Sequence, residues 1–531
     1  MPLVVLLIGG GVLLLIYSRL LPFTGFMHAI RLTFGKFHHP GDAEDPGQIS
    51  HFKALCNALA ATIGLGNIAG VAVAITQGGP GAIFWMWIAA FIGMNTKFFE
   101  CSLAVMYRGR DHAGEVQGGP MYVIDKALPG AFKPLAIFFA LCGMVGTTAL
   151  YTANQTVSFF HESLMGLTPE NTVYIMGNVP RDKLIMGVAL AALITYVLLG
   201  GIKRLAQWTS AMVPLMCLFY VAAAMTVIAL HLDAVPGAFA SIFTEALSPS
   251  AVLGGAEGAF IAVLITGVKR AAFSNEAGVG TAPMAHSNAK TTEPISEGLV
   301  AMLGPMIDTL IVCTMTALVI LVSTTTDDYE GRKGVVLTHY AFTQTLGGLG
   351  THGLAIAVAL FGFSTMVGMA NYNSKCWNYL FRSRLGPIGK WAFLAWFAFT
   401  LILGAAAPHD EMINLIDSAY GLMAMPTMIT TLLLAPRVAS ALKTYVGKYI
   451  SQDETDTPPT PGTDGWPLVV FGLFVTAGIL AVIIADRSQA DGHWGEVLQI
   501  GYAEKWALSV VGIASIAIGL IVARLPRSGS H

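Results

Sequence analysis

The sequence predicts an all-helical protein that crosses a membrane many times, and two observations support this fold class. Only 60 of the 531 residues are charged (29 Lys or Arg and 31 Asp or Glu), or 11%, whereas 55% are hydrophobic. A soluble domain carries about 25% charged residues. The apolar residues also fall in runs of roughly 18 to 25, each long enough to cross a hydrocarbon layer of about 30 Å. This composition excludes a water-soluble globular protein and a nucleic-acid binder with a basic surface.

Hydropathy predicts thirteen membrane spans. All six cysteines lie inside or at the ends of these apolar runs, and no CxxC or Cys/His metal spacing occurs, so disulfides and a cysteine metal site are not expected. The predicted spans cover residues 2–20, 51–77, 81–107, 133–161, 183–199, 204–230, 251–270, 296–323, 351–376, 391–407, 411–435, 466–486 and 502–523.

The distribution of basic residues predicts the orientation. With the N-terminus outside, twenty-two Lys and Arg fall on the cytoplasmic side, among them Lys269 and Arg270, six fall outside, and Lys97 lies within a span. Cytoplasmic loops carry an excess of Lys and Arg, and a missed span would have scrambled the bias. We therefore expect a multi-pass protein of a bacterial inner membrane, with its N-terminus outside and its C-terminus in the cytoplasm.

Polar segments divide the chain into four parts. Residues 1–50 form an N-terminal transmembrane helix with a cytoplasmic amphipathic connection, and residues 51–440 form a core of ten helices. Residues 441–465 include a Pro-rich polar stretch that is typical of a linker. Residues 466–531 hold two additional transmembrane helices.

Glycines predict that two core helices are interrupted. Gly64 and Gly66 lie at mid-depth in the first core helix and are followed by Asn67. Unwound backbone in a membrane is tolerated where it lines a cavity, and transporters place substrate and ion sites there. The alternative is a small-residue face for helix packing. A second run, Gly254 to Gly258, lies five helices later, as expected for a five-plus-five inverted repeat.

Four motifs extend this interpretation to a family. They are GLGNIAGVA from Gly64, GGPGAIFWMW from Gly78, GGPMY from Gly118 and FSNEAGVGTAP from Phe273. Over about residues 1 to 440, the chain resembles the alanine/glycine:cation symporter family. The resemblance implies the leucine-transporter type fold and Na⁺-coupled transport of a small neutral amino acid. One extra N-terminal helix and two extra C-terminal helices would surround the ten-helix core.

The resemblance also implies the site residues. Na⁺, as the co-transported ion, would bind the carbonyls of Ala60 and Ile63 and the hydroxyls of Ser364 and Thr365. A hard cation prefers oxygen ligands, although Ser and Thr hydroxyls in membrane helices commonly bond to their own helix carbonyls. The amino acid would meet the two broken helices, at the following residues: Gly64, Leu65, Gly66, Asn67, Gly254, Gly255, Glu257 and Gly258.

Three residues depart from the family pattern at the substrate pocket. Thr152 stands where the family typically has Gln, and the segment from Met369 replaces a run that begins with Trp. The pocket is therefore expected to be larger, and the preferred substrate not to be simply alanine or glycine. Glu257 stands where the family has a small residue. An acid within a membrane is functional by default, so it could pair with the substrate ammonium or bind a coupling proton. Alternatively, it is a neutral structural acid or lies nearer the outer mouth.

The other charged residues in the spans are expected to pair with each other or with helix ends, or to act in gating or cation binding. Lys97 and Glu100 lie on one helix face and can pair, whereas Asp308 and Asp417 could gate, bind cations or pair with helix ends. Asn275 and Glu276 follow basic residues and are assigned to the cytoplasmic gate.

Three functional classes remain at this stage. The first is a sodium-coupled amino acid symporter, the second a proton-coupled carrier that uses Glu257, and the third an enzyme or channel. A Gly-x-Ser-x-Gly motif and repeated filter loops are absent from the sequence, which disfavours the third class. The expected partners are an amino acid, Na⁺ and the lipid bilayer, without nucleic acid; the oligomeric state is not predicted.

Overall fold

The computed structural model is helical almost throughout. It describes residues 4–35, 47–110, 114–167, 172–175, 179–247, 257–385 and 388–450. The predicted final pair of helices and the Pro-rich stretch lie outside these residues. The last described helix continues to Tyr445, with a further turn over Val446–Ile450, so residues 441–450 are helical and do not belong to the predicted linker.

The first half of the described chain holds an extra helix and core helices one to five. Core helix 1 is α4 with α5, core helix 2 is α6, core helix 3 is α8 with α9, and core helices 4 and 5 are α10 and α11. The bounds are α1 Val5–Tyr17, α2 Leu21–Thr24, α3 Phe26–Thr33, α4 His51–Thr62, α5 Gly66–Gly78, α6 Gly81–Met106, β1 Gly109–Arg110, β2 Val116–Gln117, α7 Pro120–Ala127, α8 Lys133–Gly146, α9 Leu150–Ser158 with the turn Phe159–Leu164, β3 Tyr174–Ile175, β4 Val179–Pro180, α10 Arg181–Leu198 and α11 Gly201–Leu230.

The second half holds core helices six to ten. Core helix 6 is α13 with α14, and core helices 7 to 10 are α15, α17, α18 and α19. The bounds are α12 Val235–Leu247, α13 Glu257–Asn275, α14 Ala282–His286, α15 Pro294–Ser323, the turn Thr326–Tyr329, α16 Val335–Leu346, α17 Gly348–Leu385, α18 Ile388–Ala406 and α19 His409–Tyr445.

Packing divides the core helices into two groups. Core helix 2 packs against core helices 1, 6 and 7, whereas core helix 9 packs against core helices 3 and 4 and core helix 8 against core helix 3. Core helices 1 and 8 contact each other where the two groups meet, and core helix 5 lies against both. The extra helix α1 packs on α6 and α19. Each group therefore contains two helices from each half of the core, as a five-plus-five repeat requires.

Several described helices meet the requirements for membrane spans. Seven are long and apolar enough, or eight if the bent pair α4 and α5 counts as one span. About 20 apolar residues are needed to cross the hydrocarbon layer. They form a helix because a helix satisfies its own backbone hydrogen bonds where no water is present. The chain is therefore a multi-pass membrane protein.

Candidate functional site

The first core helix is broken where the sequence predicts. Helix α4 ends at Thr62 and α5 begins at Gly66, with a bend of 51° between them. Ile63 has extended backbone angles, with φ −76° and ψ 95°. In a continuing helix the N–H of Gly64 would donate to the Ala60 carbonyl, but it donates instead to Asn67 Oδ1 at 3.0 Å. The Ala60 carbonyl thus loses its helical donor.

The two glycines of this break allow other helices to approach closely. A Cβ on Gly64 would overlap the hydroxyl of Thr365 on α17. A Cβ on Gly66 would lie 3.4 Å from the ring of Phe273 on α13. Both glycines have ordinary φ values, because neither is among the residues with positive φ. The helix break and close small-residue packing therefore occur at the same place.

The sixth core helix is broken later in the chain than predicted. Within the described residues, α13 runs unbroken from Glu257 to Asn275, and the interruption lies between Asn275 and Ala282. Glu276, Gly278 and Gly280 have φ values of 58°, 82° and 92° there. The left-handed region suits glycine because it has no Cβ. The segment from Glu276 to His286 is thus the break and second half of core helix 6.

Two of the four substrate residues predicted in the earlier glycine run, Glu257 and Gly258, are among the described residues. Gly254 and Gly255 lie outside the described residues. Glu257 is the first residue of α13, and eighteen residues of helix at 1.5 Å each place it about 27 Å along the axis from Asn275. Glu257 and Gly258 are therefore not at the observed break. Asn275 and Glu276, which were predicted to belong to a cytoplasmic gate, lie at this break.

Asp308 joins the two breaks, which the sequence did not indicate beyond a general cation or gating role. It lies on α15, is fully buried and accepts three hydrogen bonds. Asn67 Nδ2 donates to Oδ1 at 2.7 Å, while Ser274 Oγ and Thr309 Oγ1 donate to Oδ2 at 2.6 and 2.7 Å. Asn67 comes from the first break and Ser274 from the end of α13. One carboxylate thus connects core helices 1, 6 and 7.

Three of the residues predicted for sodium, Ala60, Ile63 and Thr365, lie at or beside the first break. Ala60 and Ile63 are completely buried beside the interruption. Ser364 Oγ donates to the Phe361 carbonyl at 3.1 Å, which is the local alternative that sequence reasoning left open. Thr365 Oγ1 is buried and has no hydrogen-bond partner among the described residues. This unsatisfied hydroxyl, close to unwound backbone, fits a hard cation that prefers oxygen ligands.

Aromatic side chains line the same region, and sequence reasoning missed them. The Phe273 ring lies 5.1 Å from that of Tyr151 and 5.8 Å from that of Tyr420, measured between centroids. The Tyr420 hydroxyl lies 3.9 Å from the sulfur of Met369, one of the predicted pocket residues. Thr152 is buried next to Tyr151 in the chain. Phe273 begins the FSNEAGVGTAP motif, so the sequence shows where it lies along the chain. The sequence does not show which aromatic side chains surround it.

A buried ion pair lies one turn before Phe273. Arg270 of α13 bonds to Asp417 of α19, and its guanidinium lies 5.4 Å from the Phe273 ring centroid. Arg270, predicted as the cytoplasmic end of the span over residues 251–270, is instead buried inside α13, which continues to Asn275. Burial of a cation is tolerated here because a carboxylate from another helix is its partner.

A second group of contacts, which we call the latch, joins the ends of core helices 1, 6 and 7. In core helix 6 it lies after the break, whereas Arg270 lies before the break. The carboxylate of Glu297 contacts His51 with one oxygen and His286 with the other, the latter at 2.5 Å. Ile49 also forms a parallel bridge with Ala289 beyond the helix ends. The latch therefore joins the start of α4, the end of α14 and the start of α15.

Comparison with known proteins agrees with this architecture. Residues 1–458 match the model of the sodium:alanine symporter family. The chain belongs to this family. Sodium/alanine symporter AgcS of Methanococcus maripaludis is 38% identical over 447 residues, which is 83% of this chain and 93% of the relative. Probable sodium/glutamine symporter GlnT of Bacillus subtilis is 34% identical over 400 residues, 75% and 78% of the two chains.

A solved structure supports the fold. The crystal structure of MhsT in complex with L-phenylalanine matches with a TM-score of 0.51 and 13% sequence identity, covering 90% of this chain and 99% of that chain. The leucine-transporter type fold and the family are thus confirmed. This member of the sodium:alanine symporter family is a membrane transporter, and its family membership supports transport rather than enzymatic activity.

Proposed function

We propose that the protein couples the movement of Na⁺ to symport of a small amino acid across the cytoplasmic membrane. The observation that carries the proposal is the meeting of two broken helices at Asp308, since transporters place substrate and ions at such breaks. Sodium is named for both relatives described above, AgcS and GlnT, whereas the named substrates are alanine and glutamine. We keep the orientation with the N-terminus outside and the described C-terminal end in the cytoplasm.

In this proposal Na⁺ binds at the first break. Ala60 and Ile63 would contribute carbonyl oxygens, and Ser364 and Thr365 would contribute hydroxyls. Thr365 Oγ1 is ready to bind because it has no partner among the described residues. Ser364 would have to turn from the Phe361 carbonyl, or bind the ion while still donating to that carbonyl. A hydroxyl can do both because it has one donor and two lone pairs.

The amino acid binds between the two breaks. Backbone groups of Gly64, Leu65 and Gly66 with Asn67 would hold its charged ends on one side, and the segment from Asn275 to Thr281 takes the place first proposed for Gly254, Gly255, Glu257 and Gly258. The substrate side chain would contact the side chains that surround Phe273. These are Tyr151, Thr152, Met369 and Tyr420. The smaller Thr152 and flexible Met369 support a substrate larger than alanine.

Alternating access would follow from the two packing groups. Rocking of core helices 1, 2, 6 and 7 against core helices 3, 4, 8 and 9 would open one end of the site and close the other. The latch joins three helices of the first group at one end. The pair of Arg270 and Asp417 joins core helix 6 to core helix 10 near the site. Each contact would break in one half of the transport cycle.

The proton-coupled alternative that relied on Glu257 has less support. The acid begins α13, about 27 Å along the helix from the break, so it is not placed to touch the substrate ammonium there. We therefore keep sodium as the proposed coupling ion for this site.

The proposal is tested by uptake into proteoliposomes with Na⁺ or choline outside, using amino acids of both chiralities. We expect uptake of at least one amino acid in Na⁺ and none above background in choline. Thr365→Val should lower the apparent sodium affinity about tenfold or more, because a charge-assisted ligand is lost. Thr444→Val is the matched control, since Thr444 is exposed on α19 and bonds only to its own helix. Equal uptake in Na⁺ and choline would overturn sodium coupling.

A further inference from the structure

A cluster of charged side chains lies beside the break of core helix 6, on the side of α6. Lys97 and Glu100 are one turn apart on α6, Glu276 lies in the break, and Asp308 lies on α15. Their exposed fractions are 1%, 3%, 0% and 0%. Lys97 is close enough to act electrostatically on all three acids, and Glu276 acts in the same way on Glu100. The four groups therefore share one buried electrostatic environment.

The charges of this cluster do not balance. Three carboxylates face one ammonium, so the fully ionised cluster would carry two uncompensated negative charges in the protein interior. Other buried cations of the described chain are engaged elsewhere: Arg270 pairs with Asp417, and Lys375 donates to the Val116 carbonyl and Asn288. A buried charge without a counter-charge is expensive enough that the group takes up a proton or another cation instead.

Hydrogen bonds show which acid is least suited to remain ionised. Glu276 accepts from Tyr420 with one oxygen and from Thr281 with the other, at 3.1 and 2.6 Å. Both oxygens of Asp308 also accept hydrogen bonds. Glu100 accepts a long bond from the Gly278 N–H to Oε1 at 3.4 Å, and the Gly280 N–H acts on the same carboxylate more weakly. Its Oε2 is buried and has no partner among the described residues.

A second buried group without a partner in the described chain lies near this cluster. Tyr372 of α17 is fully buried, its hydroxyl has no partner among the described residues, and it lies within electrostatic range of Glu276, Glu100 and Cys101. A metal ion such as Na⁺ needs several oxygen ligands with free lone pairs, whereas Glu100 Oε2 and the Tyr372 hydroxyl are the two unpartnered oxygens among the described side chains named for this cluster. A proton needs a single acceptor, so it is the cation that fits.

We propose that Glu100 holds a proton on Oε2, in a proton-binding site that it forms with Lys97, Glu276 and Tyr372 beside the break of core helix 6. The Gly278 N–H that bonds Glu100 belongs to the break itself. Rearrangement of the break therefore changes the environment of the carboxyl group. The proton then leaves as H⁺ to water that reaches the site. Proton binding would thus be linked to the conformational cycle, and this link rests on the proposed function.

The bound proton is tested by infrared spectroscopy of the purified full-length protein at neutral pH. The C=O stretch of a protonated carboxyl group should be present in the wild type and lose the contribution of one group in Glu100→Gln. Glu293→Gln is the matched control, because Glu293 pairs with Lys448 at the protein surface and should leave the band intact. An unchanged band in Glu100→Gln would overturn the proposal.

Two further variants keep the test decisive if Glu100→Gln fails to fold. Glu276→Gln removes a neighbouring negative charge, so the band should disappear at a lower pH than in the wild type. Lys97→Met removes a positive charge, so it should disappear at a higher pH. Each shift should be about tenfold in proton concentration, as expected for a charge a few ångströms away. A purely structural role would not give opposite shifts, and shifts in the same direction would contradict the site.

Uptake measured on the same preparations separates this proposal from the proposed function. Sodium-dependent uptake together with a band that is insensitive to Glu100 would overturn the proton site alone. A band that depends on Glu100 together with uptake that is equal in Na⁺ and choline would overturn sodium coupling and leave the proton site standing. In the wild type we expect sodium-driven uptake to change with pH, and in Glu100→Gln we expect this pH dependence to flatten.

Discussion

The two broken core helices are interrupted in different ways. The first break spans three residues, Ile63 to Leu65, and its glycines have ordinary backbone angles. The second spans six residues, from Glu276 to Thr281, and three of them have positive φ. In the first, Gly64 makes room for Thr365, while a Cβ on Gly66 would be in ordinary contact with Phe273. In the second, glycine allows backbone angles that a Cβ disfavours, and it also lets Leu7 and Thr427 approach closely.

The difference teaches why glycine content alone is an ambiguous signal for a break. Side chains replace lost helical bonds at both places: Asn67 accepts from the Gly64 N–H at the first break, and Asn275 and Glu100 accept from the N–H groups of Ala277 and Gly278 at the second. A break therefore needs a polar side chain that can bond within the interrupted segment. The run at Gly254 offers Glu257, but this residue begins an unbroken helix.

The largest expected effect is at Asp308, where the two breaks meet. Asp308→Asn exchanges a carboxylate that accepts from three donors for an amide that must present its own donor to one of them. The loss of such a buried charged acceptor costs about 1–3 kcal/mol, so uptake should fall at least about tenfold. The measurement is initial uptake in proteoliposomes at equal protein density.

Asp328→Asn is the control for that experiment, because Asp328 is a surface acid of a turn and should leave uptake intact. If Asp308→Asn altered sodium affinity without altering amino acid affinity, Asp308 would serve the first break alone. The view that it joins both breaks would then be wrong.

The next effect distinguishes the two roles of glycine. Gly64→Ala should destabilise the protein by about 1–3 kcal/mol through overlap with Thr365, and Thr365→Ala in the same chain should restore much of the loss. Gly278→Ala should cost at least about 1–2 kcal/mol, through its backbone angles and the overlap of the new Cβ with Leu7, and the Thr365 change should not restore it. Thermal unfolding in detergent measures all four variants. Rescue of Gly278→Ala by Thr365→Ala would contradict the distinction.

A smaller effect is expected at Glu257, away from either break. Glu257→Gln should leave sodium affinity, amino acid affinity and the pH response of uptake within about 0.5 kcal/mol of the wild type, as for substitutions outside a site. Uptake across a pH series checks this expectation. A changed pH response would restore Glu257 as a coupling residue.

The smallest effect concerns an ordinary capped turn, which serves as a baseline for both breaks. The backbone N–H of Thr325, with the hydroxyls of Tyr340 and Thr325, holds the pKa of Asp328 below its usual value. The ionised form therefore stabilises the turn above the unfolded-state pKa, and this contribution is lost as pH falls through the lower folded-state pKa.

Hydrogen exchange of the Thr325 amide should accelerate over that acidic range, after correction for intrinsic rates, and Asp328→Asn should show no such step. Uptake should not follow the same profile. A step in uptake that depended on Asp328 would connect this turn to the transport cycle.

The sequence predicted much of the fold because hydropathy acts locally. Apolar runs and glycine placement gave the core spans, the offset of five helices and the first break at Gly64. Sodium candidates followed from the resemblance, and the structure places Ala60, Ile63 and Thr365 together. The sixth break was predicted at GGAEG because GGAEG and SNEAGVG both contain the required glycines. In the structure SNEAGVG holds a break, with Tyr420 and Glu100 beside it.

What the sequence determined by itself is the membrane class, the repeat and the family, since each depends on patterns along the chain. Only the tertiary structure decided which buried charges meet. Lys97, Glu100, Glu276 and Asp308 lie on three different elements separated by up to about two hundred residues. Their electrostatic imbalance depends on distance and burial, and neither quantity is written in the spacing of residues along a chain.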